Sequence, residues 1–375
     1  MAVVARFLYS NLVQSSAYTL TASSADQNHP VAWLRNHLLG KPWRSASGWT
    51  IYTDFNDDID FNRGGVKLAT ITAGTYATSA SMCAAVVAAL EAADPTPVWA
   101  CSYNSGTGVF TISSDYNFSL LCGTGANLAT SAFVSLGFVN TGAGGVGVDT
   151  GSGLSQAGGF ASYQSTHFIG LDLASSGNSP GTGGVFVAGS NVSASGAIKA
   201  RRNNTSVVSA AASGTSIAMS WTADLAGAFF SLITTRRYWA LVIEDCANAD
   251  GYAEVPVWYL GTYGQTTYPY SQENPREGRE LSSVAYGASG AHWHSERAEG
   301  GSWQFSFEDM PAADLTVLQA LRDGARLGKA WFFATDATDN PLTRTYYGFR
   351  SSPMAEQPTG PATTTVSFTF EEILA

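Results

Sequence analysis

The densest group of potential cation ligands in this 375-residue chain is Asp54-Phe55-Asn56-Asp57-Asp58-Ile59-Asp60, in which Asp54, Asn56, Asp58 and Asp60 alternate. Carboxylate and amide oxygens at alternate positions are hard ligands of the kind Ca²⁺ takes. The run departs from an EF-hand loop, having Ile59 where that loop has glycine and Gly65 where it has a bidentate glutamate. Solvated acids at the start of a strand are the competing reading and the one expected. A second group is His292-Trp293-His294, with Glu296 and Glu299 nearby. On a strand both imidazoles would share one side, a geometry that holds a transition metal only if a third ligand converges. Exposed loop or interface histidines are the simpler expectation, and neither a metal nor another cofactor is expected.

Hydrolysis calls for a nucleophile beside a base, or for two facing carboxylates. No GxSxG is present, and the five histidines stand in polar, turn-rich surroundings without a triad order. The pairs Glu244-Asp245 and Glu371-Glu372 are sequence neighbours, which a strand points to opposite faces. No catalytic residue is assigned, and the chain is expected not to be an enzyme. Trp43, Trp49, Trp221 and Trp258 could serve as aromatic platforms for a sugar, although aromatics in alternating β patterns more often belong to a core. Cys83, Cys101, Cys122 and Cys246 show no CxxC spacing and read as free, mostly buried thiols. The net charge is −10, and Arg201-Arg202 and Arg236-Arg237 are the nearest approach to a basic cluster, which argues against a nucleic-acid partner.

The elements that must position these residues are β-rich. Apolar residues make up 45 % of the chain and charged residues only 13 %, with 39 Gly, 16 Tyr, 19 Phe and 10 Trp, a composition of strand and turn formers. The length suggests two or three domains at about 150 residues each. The N-terminal apolar run breaks at Tyr9-Ser10-Asn11, short of a signal-peptide core, and no stretch approaches the roughly 20 apolar residues of a membrane span. A soluble protein made in the cytoplasm is expected.

Charge divides the chain into blocks. Residues 51–155 carry two bases and eight acids, a net of −6; residues 263–375 are again −6; the remainder is +2. Within the first acidic block the pattern predicts a strand at 66–71, a helix capped by Ser81 and stopped at Asp94-Pro95, and a hairpin of 98–103 with 109–113. A third strand at 118–122 and a short helix at 128–136 complete a compact α+β unit. The Gly-rich stretch 140–159 reads as a flexible return crossing. Short β runs follow at 167–173, 184–189, 197–200, 215–221 and 237–243, after a strand at 5–8 and a helical turn near 31–34. The last block opens with a polar extended stretch, 263–289. It continues with a strand at 302–307, an amphipathic helix over about 309–327, and strands at 330–335, 344–349 and 364–370.

Particular residues in the flanking pieces carry a resemblance. The order Pro30, Trp33-Leu34, Trp43-Arg44-Ser45, then 168–173 (FIGLDL), 185–191 (VFVAGSN), 237–243 (RYWALVI) and 248–261 (NADGYAEVPVWYLG) resembles the discoidin-like, galactose-binding-type jelly rolls of bacteriophage tail proteins. The likeness spans about 150 residues in two pieces. It implies a mainly β architecture in three parts. A discontinuous jelly roll comprises 1–50 and 160–262, an acidic α+β domain at 51–155 is inserted into one of its loops, and a β domain with one packed helix occupies 263–375. The implied role is structural: a virion component of the tail tip, baseplate or distal tail, similar to minor tail and distal tail proteins. It would assemble as a homo-oligomeric ring and with other tail proteins. A receptor- or carbohydrate-binding module facing a host surface glycan is the alternative, and a tail-associated hydrolase a third.

Overall fold

A computed structural model of the chain describes residues 5–36, 39–45, 48–105, 107–138, 153–160, 166–193, 196–221, 225–232, 234–245, 248, 250, 252–267, 277–279, 283–286, 292–295, 300–326, 329–334 and 345–373. The protein is mainly β. No described helix is long and apolar enough to cross a membrane.

Two antiparallel sheets form a sandwich. The first runs in the order Thr215–Ile217, Ala197–Asn203, Tyr238–Glu244, Thr166–Asp172, Thr19–Ala22; the second runs Ser220–Trp221, Leu225–Ser231, Thr182–Ala188, Val257–Gly261. Their facing side chains, among them Ile169, Leu171, Val185, Val187, Trp239, Leu241, Trp258 and Leu260, make one buried core. Successive strand residues point to opposite faces, and here both faces are covered. On Tyr238–Glu244, Trp239, Leu241 and Ile243 face the second sheet, while Ala240 and Val242 pack with Phe168 under the helix Val207–Ser213. The sequence in these strands is therefore almost continuously apolar, the signature of double-sided burial.

The second sheet is covered in the same way. Phe186, Ala188, Val257 and Tyr259 on its outer face pack against Leu8, Phe332 and Tyr347. These last three belong to a third sheet, whose main order is Gly264–Gln265, Arg6–Leu8, Ala330–Ala334, Thr345–Arg350, Thr363–Glu372, Gly300–Pro311, Glu277–Arg279. Its far face, with Phe7, Trp303, Phe305, Trp331 and Phe370, buries Leu318 and Leu321 of the helix Ala312–Gly324. The stack thus runs helix, five-stranded sheet, four-stranded sheet, large sheet, helix.

The N-terminal strand differs from expectation. Arg6–Leu8 does not join the sandwich but hydrogen-bonds between Ala330–Ala334 and Gly264–Gln265. Its Arg6 guanidinium lies over the rings of Phe229 (4.6 Å) and Tyr263 (4.5 Å) and donates to Gln265 Oε1 at 2.7 Å. One cation thereby bridges the sandwich and the third sheet.

Residues 49–138 close around a separate core that includes Trp49, Ile59, Phe61, Met82, Val86, Leu90, Trp99, Phe110 and Phe133. Its helix spans Ser79–Ala93 and begins one residue after Thr78, not at Ser81. Thr78 accepts from the Ser81 amide, Ser81 answers through its hydroxyl, and the two form a capping box. The expected strands at 109–113 and 118–122 are a single strand, Val109–Leu120. One part pairs with Trp99–Asn104, and its last residues pair with Asp58–Asn62. The Gly-rich return is structured where it is described, since Gly153–Phe160 pairs along Val109–Leu120 with two register shifts. Trp49–Ile51 pairs with Gly74–Tyr76 in this same unit. The expected boundary between residues 50 and 51 falls inside the strand Trp49–Ile51, and the one at 155 falls inside Gly153–Phe160. Against the sandwich, Phe55 packs edge-on to Phe168 with ring centroids 4.7 Å apart.

The helix Val207–Ser213 approaches its sheet so closely that a Cβ at Gly170 would lie 1.8 Å from Val207 Cγ1. Substituting Gly170→Val is expected to cost about 1–3 kcal/mol by forcing that helix outward, as read from the denaturant midpoint.

Candidate functional site

The acidic run does not gather its oxygens around a common point. Asp54 sits at a turn with φ 60° and is exposed. Asn56 is buried: it donates to Thr50 O and to Ser135 Oγ, and its Oδ1 accepts from the Tyr52 amide. Asp58 accepts from Thr70 Oγ1 at 3.1 Å and Thr130 Oγ1 at 2.6 Å. Asp60 accepts from the Asn127 amide at 2.7 Å and from its Nδ2 at 2.9 Å. These side chains stitch the strand Asp58–Asn62 to the segment 127–135, which carries no regular ladder of its own beyond a bridge from Asp58 to Ser131. Asp57 is buried, one carboxylate oxygen accepts no hydrogen bond, and burial followed by repulsion from Asp58 raises its pKa. Among the described residues, no three His, Cys, Asp or Glu side chains are grouped to hold a metal ion.

The tryptophans proposed as sugar platforms fall in the cores. Trp43, Trp49 and Trp258 are each at most 3 % exposed, and the Trp43 indole donates to Ser24 O at 3.1 Å. The backbone of His292–Ser295 forms a strand against Ser283–Tyr286, but the His292, His294 and Trp221 side chains, with Glu296 and Glu299, lie outside the described residues. The charged neighbours serve the chain itself. Glu244 meets Lys199 at 2.6 Å, and Asp245 accepts from the Ser193 amide and hydroxyl, both at 2.6 Å. Arg201 donates to the last carbonyls of the helix Val207–Ser213, at Ala211 and Ala212, and Arg202 donates to Thr234 O at 2.6 Å. Arg237 clasps Asp172 with two hydrogen bonds, of 2.7 and 2.8 Å.

Two surfaces were not singled out by sequence reasoning. At one end of the sandwich, Arg44 pairs with Glu254 and lies 4.9 Å from the Tyr252 ring centroid. The neighbouring loop brings His29 onto Asp26 at 3.0 Å, Trp33 edge-on to His29 at 5.3 Å, and Lys41 over Trp33 at 5.9 Å. Asn191 and Asn248 fix the facing loop, both donating to Tyr252 O at 3.0 Å. Trp33 and Tyr252 are half-buried, so this end offers two partly open rings beside cations.

The other surface lies on the unit formed by 49–138. All six large apolar side chains that stand exposed among the described residues, Val66, Leu68, Val98, Tyr116, Leu128 and Leu154, fall between 66 and 154, and they are 40–71 % exposed. The register explains two of them. Val66 pairs with Asn62 and Leu68 with Asp60, so both share the face of those polar residues, whereas Ala69 pairs with Ile59 on the core side. Val66–Thr70 is also an edge strand, bonded on one side only. Sequence alternation could have flagged this, since a strand reading VKLAT carries apolar residues at 66 and 68 on one face and Ala69 on the other.

Asp94 holds the unit in shape. It ends the helix Ser79–Ala93, accepts two hydrogen bonds from Arg63 and meets Lys67 at 2.8 Å, and its carbonyl takes the Trp99 indole at 3.0 Å. Arg63 in turn lies 5.2 Å from the Tyr116 ring centroid.

No family model matches the chain, and no curated protein matches it.

Arg63 first, and then Lys67, hold Asp94 well below the usual carboxylate range against the opposing effect of burial. A depressed carboxylate stabilises the fold above its unfolded pKa of about 3.9, and that contribution is lost as the pH falls through the folded value. Asp94→Asn is therefore expected to lower the thermal midpoint at neutral pH, with the gap to the parent protein narrowing towards strong acid. Scanning calorimetry across that range reads it, and a gap independent of pH would contradict the assignment.

Proposed function

We propose that the chain is a structural subunit of a bacteriophage tail, at the tip, baseplate or distal end, which assembles with copies of itself and with neighbouring tail proteins. The resemblance of the sandwich segments to discoidin-like tail jelly rolls supplies the setting. The single observation that carries the assembly role is the confinement of every exposed large apolar side chain among the described residues to 66–154. Elsewhere the sheets bury their faces against one another or under a helix, so apolar contact with another subunit falls to this unit. Its surplus of acid over base keeps such a surface soluble before it meets a partner.

A carbohydrate-binding module of the tail is the second reading, favoured by one feature, the partly open Trp33 and Tyr252 rings beside Lys41 and Arg44. The buried Trp43, Trp49 and Trp258 no longer support it.

Native mass spectrometry of the purified full chain separates the two readings. Under the assembly reading the parent protein forms oligomers, and Val66→Lys with Leu68→Lys shifts it towards monomer. Under the glycan reading oligomer state is insensitive to these changes, and saturable glycan-array binding is lost with Trp33→Ala. Antibody label against this chain, viewed on virions by negative stain, should fall on the tail; label absent from the tail would sink the assignment.

A further inference from the structure

Two of the four cysteines meet. Cys83 lies in the second turn of the helix Ser79–Ala93 and Cys101 in the strand Trp99–Asn104, and their sulfurs are 3.2 Å apart, with the Cys101 thiol donating to Cys83. A disulfide bond is about 2.0 Å long, so a small rotation of the two side chains closes the remaining distance. We propose that Cys83 and Cys101 are a reversible thiol–disulfide site, whose oxidation by a low-molecular-weight disulfide staples the helix to the edge strand.

Access and chemistry both favour this pair. Cys83 and Cys101 line an open groove of about 620 Å³ between helix and strand, walled also by Ala80, Ala84, Val87 and Tyr103. Small side chains on the helix open the groove over the pair, where Cys101 is half-buried and Cys83, though buried, keeps 7 % of its surface exposed. Cys122 belongs to the same core as Cys83, but unlike Cys83 and Cys101 it does not line the groove. The hydrogen bond from Cys101 lowers the Cys83 pKa, and the same bond, together with burial, raises that of Cys101. The thiolate is the attacking form, which makes Cys83 the first nucleophile.

The exchange balances without a metal or enzyme. The Cys83 thiolate attacks one sulfur of oxidised glutathione, the glutathione S–S bond breaks, and one glutathione thiolate leaves and is protonated. Cys101 then loses its proton and attacks Cys83 Sγ, expelling the second glutathione thiolate. The protein thus gives up two electrons and two protons, and one glutathione disulfide becomes two glutathione thiols. The strand Trp99–Asn104 pairs only with Val109–Leu120 among the described strands, so the cross-link ties down its other flank.

The test is to treat the folded full chain with oxidised glutathione and count free thiols by alkylation. The count should fall from four to two, with the intact mass lower by two hydrogens. No Lys or Arg lies between Lys67 and Lys199, so trypsin leaves both cysteines in one peptide. Cleavage after Glu91 separates them and should yield two peptides joined through Cys83 and Cys101 until reductant is added. Oxidation should also raise the thermal midpoint of the parent protein, reversibly, and leave Cys101→Ala and Cys83→Ala unshifted. Four thiols still free, stable glutathione adducts without the cross-link, or a cross-link between chains would each overturn the proposal. Because the readout on the parent protein needs no variant, poor folding of either substitution does not blunt it.

Discussion

The strand Val257–Gly261 has no face left for water. Val257 and Tyr259 press on the third sheet, Trp258 and Leu260 press on the first, and every residue of the strand is buried. Covering a sheet on both sides requires that whatever lies above and below it be assembled first or together. In this chain those layers come from distant sequence. Phe332 and Tyr347 supply one side, and Ile169 and Leu241 the other. Burial of this kind contributes about 25 cal/mol per Å² of apolar surface, and none of it is realised by the middle sheet alone. The sandwich and the C-terminal sheet thus share the buried cluster that covers the outer face of the middle sheet.

The N-terminal strand follows from the same constraint. Leu8 faces the middle sheet while Phe7 faces the helix Ala312–Gly324, so three residues plug a gap in the large sheet on both faces. Arg6 completes the plug at the rim, where burial lowers its pKa and the Tyr263 phenol works against that shift. Its charge is retained there by two aromatic faces and one amide oxygen. A guanidinium stacked between rings keeps favourable electrostatics that a strongly hydrated ammonium would lose.

Local pattern made much of this legible in the sequence. The apolar runs at 237–243, 330–335 and 364–370 and the amphipathic helix near 309–327 were readable because period and turn residues are local signals. Three kinds of feature were not. The short helix Val207–Ser213, made of Val, Ser and Ala, has no amphipathic period, and it exists because Ser206 caps it and Ala210–Ala212 fit flat on the sheet. The continuity of Val109–Leu120 through Ser113-Ser114-Asp115 was hidden because the polar side chains there find partners in backbone amides, Asp115 accepting from the Val98 amide and Ser114 from the Tyr116 amide. The partner of Arg6–Leu8 lies more than three hundred residues away in Ala330–Ala334, and no local signal specifies such a pairing. The candidate site fared similarly. The acidic run and the tryptophans stood out by residue type, but whether a carboxylate binds a cation or a neighbouring hydroxyl depends on what folds against it. Thr70, Thr130 and Asn127 decided that for Asp58 and Asp60.

The division between closed and open surface has an architectural cause. A stacked body that covers its sheets on both faces has used its apolar side chains internally, leaving loops and charged pairs outside. The unit at 49–138 has one long helix, Ser79–Ala93, against its five-stranded sheet, so much of the opposite face of that sheet meets solvent. Polar residues occupy much of that outer face, at Asp58, Asn62 and Thr70, but Val66 and Leu68 interrupt them on the edge strand. An edge strand exposes unpaired backbone groups, and chains usually blunt such edges with charge or proline. Lys67 is the one charge available on Val66–Thr70, and it is turned inward to Asp94. The same ion pair that secures the helix end therefore leaves the edge strand without its usual guard, and stability of the unit and openness of its surface come from one side chain.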